Sequence, residues 1–146
     1  RGGNALRFNE ERVRSMGRAT RGVRGIMLKN DDELAGILRI IDYNKILVLT
    51  ENGFGKRVEY DRFVPHGRGT GGQKVYKTDE RTGEIIGVQS VSEADDLVCI
   101  TSQGNTIKIN VSQISIQGKN TQGIIVVNLK KPDVVVSVAK AINDKE

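Results

Sequence analysis

One six-residue phrase occurs three times in this chain: Gly17-Arg18-Ala19-Thr20-Arg21-Gly22, Gly67-Arg68-Gly69-Thr70-Gly71-Gly72 and Gly118-Lys119-Asn120-Thr121-Gln122-Gly123, at intervals of 50 and 51 residues. Other positions keep the same register without a gap. Gly3, Gly53 and Gly104 match, as do Arg7, Arg57 and Lys108, then Phe8, Val58 and Ile109, then Val13, Phe63 and Ile114. The chain therefore reads as three copies of one unit, 1–50, 51–101 and 102–146, with the third shortened. A period near 50 residues belongs to stacked or radial architectures, in which no unit buries its apolar face alone. Function has to be sought in what the copies share.

Within each copy, short β-branched runs between turn residues predict an all-β unit of four strands. The runs are 5–8, 23–29, 34–41 and 46–50 in the first copy, and 56–60, 73–77, 85–91 and 97–101 in the second. The third offers 106–111, 124–129 and 134–141 and lacks a fourth. Glycine-containing hairpins at 51–55 and 102–105 join the last strand of one unit to the first strand of the next, which laces neighbours together. Residues 2–4 read as the tail of another such hairpin, so both ends are expected to carry a strand in want of a partner. Segments 9–14, 61–65 and 112–116 have room for a single helical turn, and no longer helix is expected.

The net charge of +5 favours a polyanionic partner over a small apolar ligand. Its distribution is more telling. Residues 1–29 hold eight Lys or Arg against two acids, whereas 30–50 hold two against four. Residues 55–77 hold six bases and two acids, and 78–100 reverse this with one base and six acids. Each unit has a basic first half, fainter in the third copy, and units in parallel register would align those halves along one edge. The single cysteine, Cys99, lies in an apolar run and reads as core. No apolar run is long enough to cross a bilayer as a helix, and no secretory leader is evident, so a cytosolic setting is expected.

Glycines permit close backbone approach, and successive N–H groups in such loops can form a concave anion site. Arg18, Arg68 or Lys119 adds a cation to each phrase, and Thr20, Thr70 or Thr121 adds a hydroxyl. That combination suits phosphate oxygens of a nucleic-acid backbone. It suits equally a loop whose glycines only turn the chain and whose threonine closes the turn, and both can hold for one loop. Arg12, Arg14, Arg21 and Arg24 surround the first phrase, and Arg62, Lys74 and Lys77 the second. Lys56, Arg57 and Lys108 start their units and complete the expected phosphate-binding set. With three Phe, three Tyr and no Trp, stacking platforms for single strands are scarce, so the expected partner is a duplex.

Catalysis finds little support. His66 has no metal-ligating or triad partner at suitable spacing, and Asp31-Asp32-Glu33 and Asp95-Asp96 read as turn or solvated acids. Gly67, Gly69 and Gly72 satisfy a GxGxxG string, but its repeat-mates lack the middle glycine and no long helix follows. No catalytic residue and no metal site is expected.

The stretches 17–25, 50–57 and 118–123 together resemble the C-terminal domain family of the bacterial DNA gyrase A subunit, and the likeness runs over essentially the whole chain. The resemblance implies a β-pinwheel, a propeller-like disc of six four-stranded blades that exchange strands, with a basic rim that wraps double-stranded DNA. It implies that this chain corresponds to the last three blades. It further implies a parent ATP-dependent type II topoisomerase that introduces negative supercoils, with ATP and Mg2+ used by the intact enzyme and none by this chain. Its partners would be the gyrase B subunit, together with the rest of the A subunit. The family's Gln-Arg-Arg-Gly-Gly-Lys-Gly box is absent, and 67–74 is only its repeat-mate. The region with the family's active-site tyrosine is absent too, so Tyr43, Tyr60 and Tyr76 inherit no catalytic role. The rival readings are the A subunit of topoisomerase IV, a protein-interaction propeller and, more remotely, a propeller hydrolase.

Overall fold

A computed structural model describes residues 1–40 and 44–141. Among these residues nine strands follow in order: β1 (Asn4–Ala5), β2 (Lys45–Thr50), β3 (Phe54–Val58), β4 (Gln73–Lys74), β5 (Ile85–Val91), β6 (Asp96–Thr101), β7 (Thr106–Asn110), β8 (Ile124–Ile125) and β9 (Val135–Lys140). One turn of 3-10 helix precedes each glycine phrase, at Glu10–Arg12, Tyr60–Arg62 and Val111–Gln113. These are repeat-mates; the first lies within the expected 9–14, and the other two begin one residue before the expected 61–65 and 112–116. The chain is an all-β repeat, as its periodicity predicts.

The sheets do not coincide with the sequence repeats. The central sheet has the antiparallel order β5-β2-β3-β8, so it takes β2 from the first unit, β3 and β5 from the second and β8 from the third. A second sheet, β7-β6-β9, repeats the plan one unit on, and β1 pairs with β4 in a two-stranded remnant of the same plan. The hairpin between β2 and β3 thus carries the chain from one unit to the next inside a single sheet, the lacing predicted from 51–55. Ladder slips recur at Leu49/Thr50 and Ile100/Thr101, again repeat-mates.

Two strands expected in the first unit do not form. Residues 23–29 and 34–40 have no strand geometry, and Leu34 and Ile37 are exposed. Ile41, at the end of the second expected run, lies outside the described residues, as does Tyr43. The central sheet explains the loss: β8 rests on the first strand of the unit before it, and β5 on the last strand of the unit before it. In register, the partners of 23–29 and 34–40 would be strands of a preceding unit, and among the described residues no strand lies beside them. Elsewhere the expected strands form, 85–91 with the same bounds and 46–50 and 97–101 one residue longer, while 73–77 and 124–129 are reduced to two residues each.

Strand β2 is buried on both faces, which is why Ile46-Leu47-Val48-Leu49 is continuously apolar rather than alternating. Leu47 and Leu49 join Val91, Leu97, Cys99, Ile109, Ile114 and Val135 in one core, while Val48 faces the other way onto Val58, Phe63, Val75, Tyr76 and Ile85. The period of two in a strand puts one sheet between two cores. Burial pushes the Cys99 thiol up to about 11, in keeping with an inert core residue.

Between units, the basic residue of the first strand acts as a strut. Arg7 Nη1 donates to the carbonyls of Tyr60 and Phe63 at 3.1 Å each. One unit later, Arg57 Nε donates to the carbonyl of Ile114, the repeat-mate of Phe63, at 2.6 Å, and its Nη1 pairs with Glu93 at 2.5 Å. Removing Arg57 strands a buried carbonyl and empties the space of its stem. Arg57→Ala is expected to lower the unfolding free energy by about 3 kcal/mol, read as a lower midpoint in urea.

Candidate nucleic-acid interface

Each glycine phrase folds into a tight turn, at residues 18–19, 68–69 and 119–120. Backbone bonds set the phrases side by side. Met27 N donates to Thr70 O at 2.9 Å and Gly69 N to Gly25 O at 2.6 Å, while Arg68 Nη1 donates to Arg24 O at 3.0 Å. One unit on, Lys77 N donates to Thr121 O at 3.3 Å, and these two residues are the repeat-mates of Met27 and Thr70. This one bond, repeated from unit to unit, makes the three phrases consecutive along one border.

The two outer glycines of the phrase have different roles. Gly72 and Gly123 both adopt φ +74, and a Cβ there would lie 2.5 Å from Ala5 O and 2.3 Å from Gly55 O respectively. They are required by the contact with the preceding unit. Around Gly17, Gly67 and Gly118 a Cβ would meet nothing within 4 Å, and none of the three has positive φ. The fold does not require these first glycines, and they leave the backbone open to an outside surface. Among the described residues, the N–H groups of Gly17, Arg18, Gly67, Arg68, Gly118 and Lys119 have no backbone acceptor.

Eight of the expected phosphate ligands lie exposed with no ion pair among the described residues: Arg12, Arg14, Arg18, Arg21, Arg24, Arg62, Lys74 and Lys77. Thr70 is exposed as well. Arg68 and Lys119 are half-buried at the junctions between phrases. Lys119 Nζ donates to Gln73 Oε1 at 3.0 Å and lies 5.4 Å from the centre of the Phe63 ring, and Arg68 Nε is buried without a partner.

Other members of the expected set are corrected. Lys56 is fully buried and Arg57 is 5% exposed, so both serve the interior rather than the surface. Lys56 Nζ donates to the carbonyls of Gly118, Lys119 and Thr121 at 2.7, 3.1 and 2.9 Å and to Thr121 Oγ1 at 3.1 Å. Burial lowers its pKa from 10.5 to about 8. Lys108 stays exposed but pairs with Asp96 at 3.3 Å. Thr20 and Thr121 donate their hydroxyls to Gly17 O and Gly118 O at 2.9 and 3.1 Å, closing their own turns, so those protons are not available to a phosphate. Sequence reasoning placed Lys56 and Arg57 with the surface cations because a charge count does not separate a solvated cation from a buried one. It also missed Lys29, whose Cε lies 3.7 Å from the position a Gly71 Cβ would take. The basic count over 1–29 includes Lys29, but its repeat-mate in the second unit is Asp79, so the register hides it.

The described residues contain no group of His, Cys, Asp and Glu able to hold a metal ion, and no helix long and apolar enough to cross a membrane. The family model described as "DNA gyrase C-terminal domain, beta-propeller" matches residues 1–41, 44–92 and 95–141, three stretches that follow the repeat. The chain is 37% identical over 147 aligned positions to the DNA gyrase A subunit of Salmonella typhimurium, covering 99% of this chain and 17% of that protein. It is 42% identical to the DNA gyrase A subunit of Aminobacterium colombiense over 94% of this chain and 17% of the relative. The chain thus spans about a sixth of the length of these relatives. A solved DNA gyrase A C-terminal domain superposes with a TM-score of 0.89 at 33% identity, over 97% of this chain and 48% of that one. The C-terminal domain of a DNA topoisomerase IV superposes with a TM-score of 0.87 at 25% identity, over 95% of this chain and 44% of its own. Repeat register, strand exchange between units and a family match over nearly every described residue agree: this chain belongs to the DNA gyrase C-terminal beta-propeller family.

Proposed function

We propose that this chain binds duplex DNA through its phosphates and curves it around the border formed by the glycine phrases. The supporting observation is that border itself: successive phrases joined by one repeated backbone bond, open at their first glycine and flanked by exposed, unpaired Arg and Lys. Phosphates carry no base identity, so little sequence preference follows. Bending 20–30 base pairs costs of order 1–6 kcal/mol, offset by the further phosphates a curved path brings within reach. In the whole protein this would be the wrapping element of the A subunit of an ATP-dependent type II topoisomerase that introduces negative supercoils in the bacterial cytoplasm. The B subunit would then hydrolyse ATP with Mg2+, and this chain would take part in neither cleavage nor nucleotide binding. The curated relatives named above are both gyrase A subunits, so gyrase is favoured over topoisomerase IV, which shares the fold at lower identity.

The test is charge reversal at three exposed positions: Arg18→Glu, Arg21→Glu and Lys74→Glu together. Duplex affinity at low salt should fall at least about a hundredfold, and the slope of log K against log salt should shrink by about 3, with the circular dichroism spectrum unchanged. An unchanged slope would reject the border as the binding surface. Binding of a protein ligand with weak salt dependence, and none of DNA, would favour the interaction-propeller reading.

A further inference from the structure

The third phrase differs from the other two in what lies behind it. Three of its carbonyls and the Thr121 hydroxyl converge on the Lys56 ammonium, which also lies 4.7 Å from the centre of the Tyr76 ring. The repeat-mates of Lys56 are Leu6 and Ile107, so this arrangement exists once. No carboxylate reaches the ammonium among the described residues. Tyr76 donates its hydroxyl to Gln122 O and stays protonated, its pKa raised by burial; Arg81 and Asp79 act on it with opposite signs. Lys119 turns its own ammonium away to Gln73, and Arg57, next on the strand, is paired with Glu93. Lys56 is thus a buried cation with carbonyl ligands and, among the described residues, no counter-charge.

The consequence is a polarised loop. Its carbonyls are drawn inward onto Lys56, while the N–H groups of Gly118, Lys119 and Asn120 have no backbone acceptor among the described residues. A phosphate over those N–H groups would supply the missing negative charge.

We propose that Lys56, on the reading that the glycine phrases bind phosphate, is a positioning residue that shapes the third phrase and couples its phosphate affinity to protonation of its own ammonium. Binding and protonation then assist each other by the same factor. Because the Lys56 pKa is lowered to about 8, the coupling operates just above neutral pH. If DNA raises that pKa by about one unit, duplex affinity falls about fivefold between about pH 7 and about pH 9. The fold itself responds with the opposite sign. Unfolding returns Lys56 to its ordinary 10.5, so the unfolded chain binds more protons above about pH 8 and native stability rises there. Loss of affinity at alkaline pH is therefore not a sign of unfolding.

The experiment is a titration of duplex affinity against pH at fixed salt, on the wild-type chain and on Lys56→Met. The wild type should lose about fivefold, and Lys56→Met should bind about tenfold more weakly near pH 7 and show a flat profile. An independent measurement follows the Lys56 Cε resonance by NMR with and without duplex, where the midpoint should rise by about one unit on binding. A midpoint that does not move, or a wild-type profile as flat as the variant's, overturns the inference while leaving salt-dependent DNA binding in place. Absence of salt-dependent binding by the wild type at neutral pH overturns the phosphate border and this inference with it.

Discussion

Raising salt from about 50 mM to about 200 mM should weaken the binding of duplex DNA by this chain on the order of a thousandfold. The figure follows from about six phosphate contacts, each releasing most of one counterion, which gives a slope near −5 in log K against log salt. Six is the scale set by the exposed cations flanking the phrases; the unpaired Arg18, Arg21, Arg24, Arg62, Lys74 and Lys77 alone reach it. Lys56, Arg57 and Lys108 are not counted, since two are buried and one is ion-paired. A filter-binding or fluorescence titration at four salt concentrations measures the slope. A slope shallower than about −2 would mean that most of these cations never meet a phosphate.

The largest effect on stability is expected at Gly53. This glycine adopts φ +84 in the hairpin between β2 and β3, and its carbonyl accepts from Val126 N at 2.8 Å and Val127 N at 3.1 Å in the next unit. A Cβ there would sit 2.2 Å from Val127 O, against backbone that cannot move without breaking those bonds. Gly3 makes the same contact with Val75 and Tyr76 one unit earlier, so the hairpin glycine is a standard inter-unit joint. Gly53→Ala adds left-handed strain to that clash and should cost about 4 kcal/mol or more, or prevent folding. The control is Gly118→Ala, with open space around the added methyl and ordinary φ, which should change stability by less than about 0.5 kcal/mol. Thermal melts of the two variants give the comparison. Equal destabilisation would mean that the phrase and the hairpin are alike structural.

Much of this was legible in the residues. The register of Gly3, Gly53 and Gly104 located the hairpins, and the β-branched runs located most strands, because both follow from local backbone chemistry repeated at one interval. The 3-10 turns fell where short breaks preceded each phrase. The first unit went astray at 23–29 and 34–40 for a physical reason: a strand is defined by its partner, and those runs have the composition of strands without the neighbours that would complete them. The candidate site was legible as a set of cations and not as a surface. Arg18 and Arg57 look alike in a charge count, yet one is solvated and the other donates to Ile114 O.

By itself, the order of residues determined the repeat, the all-β class, the basic half of each unit and the family, since these depend on composition and spacing along the chain. Only the tertiary structure decided which cations are free, because Lys56 and Arg57 are drawn into neighbouring units by carbonyls more than fifty residues away. A buried cation needs ligands, and which backbone supplies them is set by how one unit packs on the next.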